Sequence, residues 1–217
     1  MTMSDDGKAG GDRMIDPGPP QVLRQEDFDA SYRTGTPPWD IGRPQAAFMR
    51  LLEAGEFQGQ VLDVGCGTGE HALMAAAAGF VATGIDAAPT AIELAKEKAA
   101  ERSLEVRFEV KDALDLSGLA TQFDTAIDCG LFHVFDDDDR ALFVSSLAGV
   151  VVPGGRYFML CFSDKQPGDW GPRRVRQDEL RHSFADGWRV DSIEETVLEI
   201  TISPEGARAW LASFTRA

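Results

Sequence analysis

The sequence predicts an α/β fold: a seven-stranded, mostly parallel sheet with helices on both faces and a C-terminal antiparallel hairpin. Between residues 61 and 162, short apolar runs typical of buried strands alternate with segments of helical periodicity. Glycines directly follow the first of these runs, where a parallel sheet passes from strand to helix. From residue 188 onward, alternating strand patterns dominate. The chain has 217 residues, 43% of them apolar, which predicts one domain over 21–217 after a disordered tail at 1–20.

The elements of the first half follow one another at regular intervals. Residues 61–64 form an apolar strand, and a helix is predicted from residue 70 to 78 because Ala, Leu and Met recur there at helical density before Gly79. The same alternation predicts a strand at 81–85, a helix at 89–102, strands at 104–110 and 123–129, and a helix at 139–149.

The second half ends in a different pattern. Pro153-Gly-Gly155 predicts a turn before a strand at 157–162, and a helix is predicted at 177–184. Residues 188–200 and 207–214 are predicted strands on either side of a turn at 203–206. We expect this hairpin to close one edge of the sheet.

Composition excludes several classes of protein. Thirty-six acidic residues against 21 basic ones give a net charge of −15, so neither nucleic acid nor a membrane surface is an expected partner. No run approaches the ~20 apolar residues of a membrane span, and no secretory signal is present, which predicts a cytoplasmic protein. Cys66, Cys129 and Cys161 lack metal-site spacing and are predicted buried thiols. The aspartates at 136–139 are predicted to cap a helix, and no metal is expected.

The loop after the first strand is the strongest functional signal. Asp63-Val-Gly65-Cys-Gly67-Thr-Gly69 lies at the carboxyl end of that strand, where open α/β sheets bind ligands. A dinucleotide fingerprint requires G-x-G-x-x-G, whereas the third glycine comes one residue early here, and the Glu70 carboxylate would face a pyrophosphate. The loop therefore favours a cofactor without phosphate that carries a cationic amino acid tail.

Residues 61–69, Val-Leu-Asp-Val-Gly-Cys-Gly-Thr-Gly, resemble the first motif of the class I S-adenosylmethionine-dependent methyltransferases, which have a Rossmann-like sheet. The resemblance implies S-adenosyl-L-methionine as cofactor and S-adenosyl-L-homocysteine as product. The aspartates that follow the second and third strands have an alternative reading as turn formers. The cofactor-binding positions that the resemblance implies are Asp63, Gly65, Cys66, Gly67, Gly69, Asp86 and Ala87 at the ribose, and Asp112 and Ala113 at the adenine.

The segment before the first strand carries a second resemblance. Pro37-Pro-Trp39-Asp-Ile-Gly-Arg-Pro44, preceded by Tyr32, resembles the small-molecule branch of the family: thiopurine, thiol and halide methyltransferases and their heterocyclic-toxin relatives. The resemblance implies that residues 21–55 are a lid, with Trp39 on the cofactor and Tyr32 towards the acceptor. The alternative is a loop in which Trp39 plugs the core.

Residues 123–135 resemble the part of that branch which lies between methyl donor and acceptor. The resemblance implies Asp128 and Cys129 beside the cofactor, and Phe132 and His133 near the acceptor. Because an imidazole has an ordinary pKa of ~6.5, His133 is the candidate general base. Arg173, in the run Arg173-Arg-Val-Arg176, is a candidate to bind a carboxylate or carbonyl of the acceptor. A packing role for His133 and an exposed loop for the arginines are the alternatives.

These observations together predict methyl transfer to S, N or O of a small aromatic or heterocyclic, quinol or thiol acceptor, with detoxification as the expected role. Two other classes stay open at this point. One is a noncatalytic S-adenosylmethionine-binding module, and the other is a nicotinamide-dependent oxidoreductase.

Overall fold

The computed structural model describes residues 25–217, and the tail predicted for 1–20 lies outside them. The six helices in the described range are α1 (Gln25–Thr34), α2 (Ala46–Glu53), α3 (Glu70–Ala77), α4 (Pro89–Arg102), α5 (Asp137–Val150) and α6 (Gln177–Ser183). The seven strands there are β1 (Gln60–Val64), β2 (Val81–Asp86), β3 (Val106–Val110), β4 (Phe123–Cys129), β5 (Val151–Phe162), β6 (Trp188–Ile200) and β7 (Ser203–Arg216). None of these helices is long and apolar enough to cross a membrane.

The sheet has the strand order β3-β2-β1-β4-β5-β7-β6. The first five strands of that order are parallel to one another, and β7 runs antiparallel to both β5 and β6. The order reverses between β1 and β4, so a crevice forms at the carboxyl ends of those strands. The predicted fold class is confirmed, including the hairpin at one edge.

Two predicted turns are strand instead. β5 begins at Val151, and Pro153-Gly-Gly155 lies inside it, where the register against β4 shifts between Phe123 and Thr125. β7 likewise begins at Ser203, because Ser203 already pairs with Ile200. The chain therefore reverses direction at residues 201–202, ahead of the predicted turn at 203–206. Both differences have the same form: the register against β4 skips residues 152–155 and the register against β6 skips residues 204–206, so each predicted turn is a bulge within a longer strand.

The sheet is covered by apolar side chains on both faces. Helices α5 and α6 cover one face, with Phe143, Leu147 and Leu180 in the packed cluster. Helices α2, α3 and α4 cover the other, and two of the cysteines, Cys66 and Cys161, are buried as predicted. Cys129 is only half-buried.

The segment before β1 forms two helices that the sequence did not predict, and it is fastened at two places. The Asp29 carboxylate on α1 accepts a hydrogen bond from the Thr90 N–H of α4 (2.9 Å), which gives that helix the cap its own N-cap residue lacks. The buried Gln45 side chain bonds both backbone groups of Glu199 on β6 (2.9 and 2.8 Å). This attachment places residues 32–40 against the carboxyl edge of the sheet.

Candidate active site

The glycine loop after β1 has a backbone that only glycine adopts readily. Gly65, Gly67 and Gly69 all have positive φ, and a Cβ on Gly69 would lie 2.7 Å from the Phe108 ring. Asp86, at the end of β2, holds the loop by accepting a hydrogen bond from the Gly67 N–H (2.8 Å). The loop is thus a fixed, backbone-lined cradle at the switch point of the sheet.

Asp63 is a buried acid at the base of this cradle. It is 1% exposed; its Oδ2 accepts a hydrogen bond from the Ala72 N–H (3.0 Å), and its Oδ1 has no partner among the described residues. Burial, together with the nearby charges of Asp86 and Asp128, raises the pKa of Asp63 to about 8. An unpaired buried carboxylate oxygen is costly, so the site suits a cationic ligand group.

The other predicted cofactor positions lie along the same edge. Cys66 is buried within the loop, and Ala87 follows β2 directly. Asp112 follows β3, where its carboxylate accepts a hydrogen bond from the Leu114 N–H (2.9 Å), and Ala113 beside it is buried. The structure therefore brings the three strand-end aspartates, on β1, β2 and β3, to one edge of the sheet.

Tyr32 and Trp39 cover the glycine loop from the N-terminal side. Tyr32 is buried, and its hydroxyl lies 2.7 Å from where a Cβ on Gly67 would be. That hydroxyl accepts a hydrogen bond from Trp39 Nε1 (2.9 Å), and the Trp39 ring also contacts Phe28 edge-on. Trp39 is 38% exposed, so the alternative reading of Trp39 as a core plug is wrong.

A chain of polar contacts, which the sequence did not reveal, ties the same segment to α4. Thr68 donates its hydroxyl to Asp40 Oδ2 (2.8 Å) and accepts from Lys98 Nζ (2.7 Å). Lys98 and Arg102 both pair with Glu70 (2.8 Å). The Glu70 charge is therefore neutralised by α4, and the expectation that it faces the ligand is wrong. The glycine spacing still argues against a dinucleotide.

At the end of β4, Asp128 organises the turn that carries two predicted site residues. It is fully buried and accepts hydrogen bonds from the N–H groups of Leu131 (2.7 Å) and Phe132 (3.0 Å) and from the Tyr157 hydroxyl (2.9 Å). Burial raises its pKa to about 7. Burial likewise raises the pKa of the Cys129 thiol, which stays protonated.

His133 lacks the free acceptor nitrogen that the predicted general-base role requires. Its Nδ1 accepts a hydrogen bond from the Phe162 N–H (3.0 Å), so the neutral ring carries its proton on Nε2. Burial, together with the charges of Arg140 and Arg174, lowers the pKa of His133 to about 3. Because the acceptor nitrogen is occupied, this geometry contradicts the general-base role and makes His133 a hydrogen-bond donor through Nε2.

An aromatic shell continues from His133 to the segment after β5. The Phe162 ring packs edge-on against the rings of His133 (5.1 Å between centroids) and Trp170 (5.6 Å). Arg174 lies over Phe162 and donates to backbone carbonyls of the 166–172 loop. Phe132, the predicted acceptor residue, is fully buried below this shell.

The predicted acceptor-binding arginine is engaged elsewhere. The Arg173 guanidinium pairs with Asp137 (2.6 Å) and with Glu179. Sequence reasoning missed Arg140, which lies in the first turn of α5 and is 3% exposed. Its position after a run of aspartates made it indistinguishable from a surface residue of a capped helix.

Comparison with known proteins adds independent observations. Residues 61–155 match a family model described as a methyltransferase domain. The chain is 41% identical over 179 residues to the 2-heptyl-1-hydroxyquinolin-4(1H)-one methyltransferase of Mycobacteroides abscessus, with 78% of this chain and 79% of the relative covered. It is 27% identical over 154 residues to the probable thiol methyltransferase 2 of Arabidopsis thaliana, covering 70% and 68% of the two chains.

The structural comparison agrees with the sequence comparison. A solved structure from work on the conversion of a disulfide bond into a thioacetal group during echinomycin biosynthesis superposes with a TM-score of 0.81. It is 40% identical in sequence, and the match covers 89% of this chain and 93% of the other. The similarity therefore includes the N-terminal helices and the C-terminal hairpin as well as the central strands.

Proposed function

Because this chain belongs to the class I S-adenosylmethionine-dependent methyltransferases, we propose that it methylates small, planar acceptors whose S, O or N–OH group ionises in water. The family and the enzymatic class agree with the prediction from the sequence. The identity of the acceptor is the part that is proposed here.

The described residues fit the methyl donor. When bound, S-adenosylmethionine supplies an electrophilic methyl group on a sulfonium. We propose that the unpartnered Asp63 Oδ1 binds its ammonium group, because a buried anion and a cation neutralise one another. The residues that we propose to hold the rest of the molecule are Gly65, Cys66, Gly67, Gly69, Asp86, Ala87, Asp112 and Ala113, with Trp39 and Tyr32 above them.

The observation that carries the choice of acceptor is the bond from the Phe162 N–H to His133 Nδ1. It leaves the carboxyl end of β4 without a free base among the described residues, since Asp128 is also fully engaged. An acceptor that reacts here must lose its proton to water unaided. Thiols, quinols and N-hydroxy heterocycles meet this requirement, whereas aliphatic alcohols do not.

The acceptors after which two of the relatives are named have this property in common. One acts on a hydroxyquinolone and the other on a thiol, and both groups ionise far more readily than an alcohol. The rings of Phe162 and Trp170 suit a planar acceptor, because they offer it an apolar aromatic surface. Methylation removes the charge of such an acceptor, which is why we propose a detoxifying role.

We propose that residues 21–55 act as the lid of the site. Tyr32 and Trp39 lie over the glycine loop, and the Asp40–Thr68 hydrogen bond holds them there. Because the aromatic faces of these residues are adjacent to the cradle, they are placed to shield a cationic ligand from water.

The experiment is a rate profile across acceptors that differ in acidity. S-adenosylhomocysteine formation is measured from pH 5.5 to 9 with an aryl thiol, a quinol, an N-hydroxyquinolone and an aliphatic alcohol of similar size. S-adenosylmethionine is kept saturating at every pH, so that ionisation of Asp63 does not enter the profile. We expect kcat/KM to rise with pH and to level off near the pKa of each free acceptor. If kcat/KM instead rises at one common pH for all acceptors, the enzyme supplies the base. Cofactor binding without product from any acceptor would favour a noncatalytic module.

A further inference from the structure

Arg140 is a buried cation with unused donors. Its guanidinium carbon lies 4.5 Å from the centroid of the Phe132 ring, and its Nη1 donates to Glu179 (3.3 Å). Nε and Nη2 have no hydrogen-bond partner within residues 25–217. Buried donors are nearly always satisfied in folded proteins, so two on one side chain indicate a missing partner.

The two unused nitrogens are adjacent, which defines the shape of that partner. Nε–H and Nη2–H point from the same edge of the planar guanidinium and form a two-pronged donor. This edge matches a carboxylate or a carbonyl oxygen on a flat ring. Because the Phe132 ring lies against the guanidinium, an aromatic surface adjoins the same edge.

The neighbouring arginines already have hydrogen-bond partners, so they do not compete with Arg140 for a carboxylate or carbonyl group. Arg173 pairs with Asp137 and Glu179, and Arg174 donates to backbone carbonyls. Glu179 is shared between Arg140 and Arg173, and its contact with Arg140 uses only Nη1 of that guanidinium. Asp137 is 82% exposed, and exposed ion pairs are weak. The Arg173–Asp137 pair therefore contributes little to holding the Arg173 side chain over the first turn of α5.

We propose that Arg140 determines acceptor specificity by binding a carbonyl or carboxylate oxygen that the acceptor carries beside its nucleophile. This inference rests on the proposed function. It moves the role predicted for Arg173 to a residue whose donors are unused. The acceptors favoured by Arg140 are oxo-substituted hydroxy heterocycles and ring acids, and acceptors without the second oxygen gain nothing from it.

The test uses two acceptors that share one nucleophile, 3-hydroxyquinolin-4(1H)-one and 3-hydroxyquinoline. The variants are Arg140→Met and Arg140→Lys, with Arg181→Met as a control because Arg181 is an exposed residue of α6. Each acceptor is compared with itself across variants, so its own acidity cancels. We expect Arg140→Met to raise KM for the quinolone at least tenfold and to change KM for 3-hydroxyquinoline less than twofold. Lysine keeps the charge but not the two-pronged edge, so Arg140→Lys is expected to raise KM for the quinolone alone.

A binding measurement accompanies the kinetics. Quenching of tryptophan fluorescence reports the Kd of each acceptor for the protein saturated with S-adenosylhomocysteine, and the same selective loss is expected. Equal losses for both acceptors in both variants would mean that Arg140 only supports the fold, which would overturn the inference. An equal wild-type Kd for both acceptors would also overturn it while leaving the proposed function intact. Failure of the wild type to methylate any ionisable acceptor would remove both.

Discussion

The pKa of Asp63 makes a quantitative prediction about ligand binding. In the free protein its pKa is about 8 because the carboxyl is buried, with the charges of Asp86 and Asp128 as secondary causes. A cation at Oδ1 binds the ionised form, so the proton must leave on binding. The apparent Kd then varies as 1 + 10^(8 − pH), and about nine in ten Asp63 carboxyls are protonated at pH 7.

The magnitude follows from that expression. Between pH 6 and pH 8 the affinity for S-adenosylhomocysteine, whose amino group stays cationic over this range, is expected to rise about fiftyfold. Asp63→Asn keeps an oxygen that accepts from the Ala72 N–H but cannot ionise. The affinity of this variant for S-adenosylhomocysteine is therefore expected to be weaker at pH 8 and nearly independent of pH. Asp115→Asn, at an exposed turn, is the matched control.

Isothermal titration in buffers of different ionisation enthalpy measures both the affinity and the protons released. At pH 7 the wild type is expected to release about 0.9 proton per ligand, and Asp63→Asn much less. A wild-type affinity that stays constant or falls from pH 6 to 8 would refute the reasoning. A full fiftyfold rise in the Asn variant would refute the assignment to Asp63.

Three further outcomes are expected. Gln45→Ala leaves the backbone groups of Glu199 without partners, so calorimetry should show a loss of about 2 kcal/mol, or roughly 4–8 °C in Tm; an unchanged Tm would show that water replaces the side chain. Thr68→Val removes the link to Asp40, and stopped-flow displacement should show S-adenosylhomocysteine leaving several-fold faster; an unchanged rate would exclude the bond as a latch. His133→Phe should lower kcat yet keep the shape of the pH–rate profile, since the pKa of His133 is about 3; loss of the limb near neutral pH would restore the general-base role.

Local periodicity was sufficient for the elements from β1 to α5. The bounds of α4 and β4 agree with the prediction residue for residue, because the proline start and helical periodicity of α4 and the apolar run of β4 lie within the segments themselves. The starts of β5 and β7 did not follow from sequence, because Val151 and Ser203 pair with residues of neighbouring strands ahead of the Pro- and Gly-containing bulges, and local pattern does not reveal those partners.

The site residues show the same division between what local sequence predicts and what contacts with distant residues decide. The acids at Asp63 and Asp86 could be found from sequence because each is attached to a motif at the end of a strand, and parallel strands bring such ends together. The two helices of the N-terminal segment could not, because their attachment depends on Gln45 reaching a strand 154 residues away.

The sequence by itself determined the fold class, the family and the place of the glycine loop at the end of β1. Only the tertiary structure decided the chemical role of each side chain. His133 is a donor because the Phe162 N–H occupies its other nitrogen, and Arg140 rather than Arg173 has donors to offer because two carboxylates already occupy Arg173. Residue type sets which hydrogen bonds are possible, whereas a side chain's function depends on which of those bonds distant parts of the chain have already used.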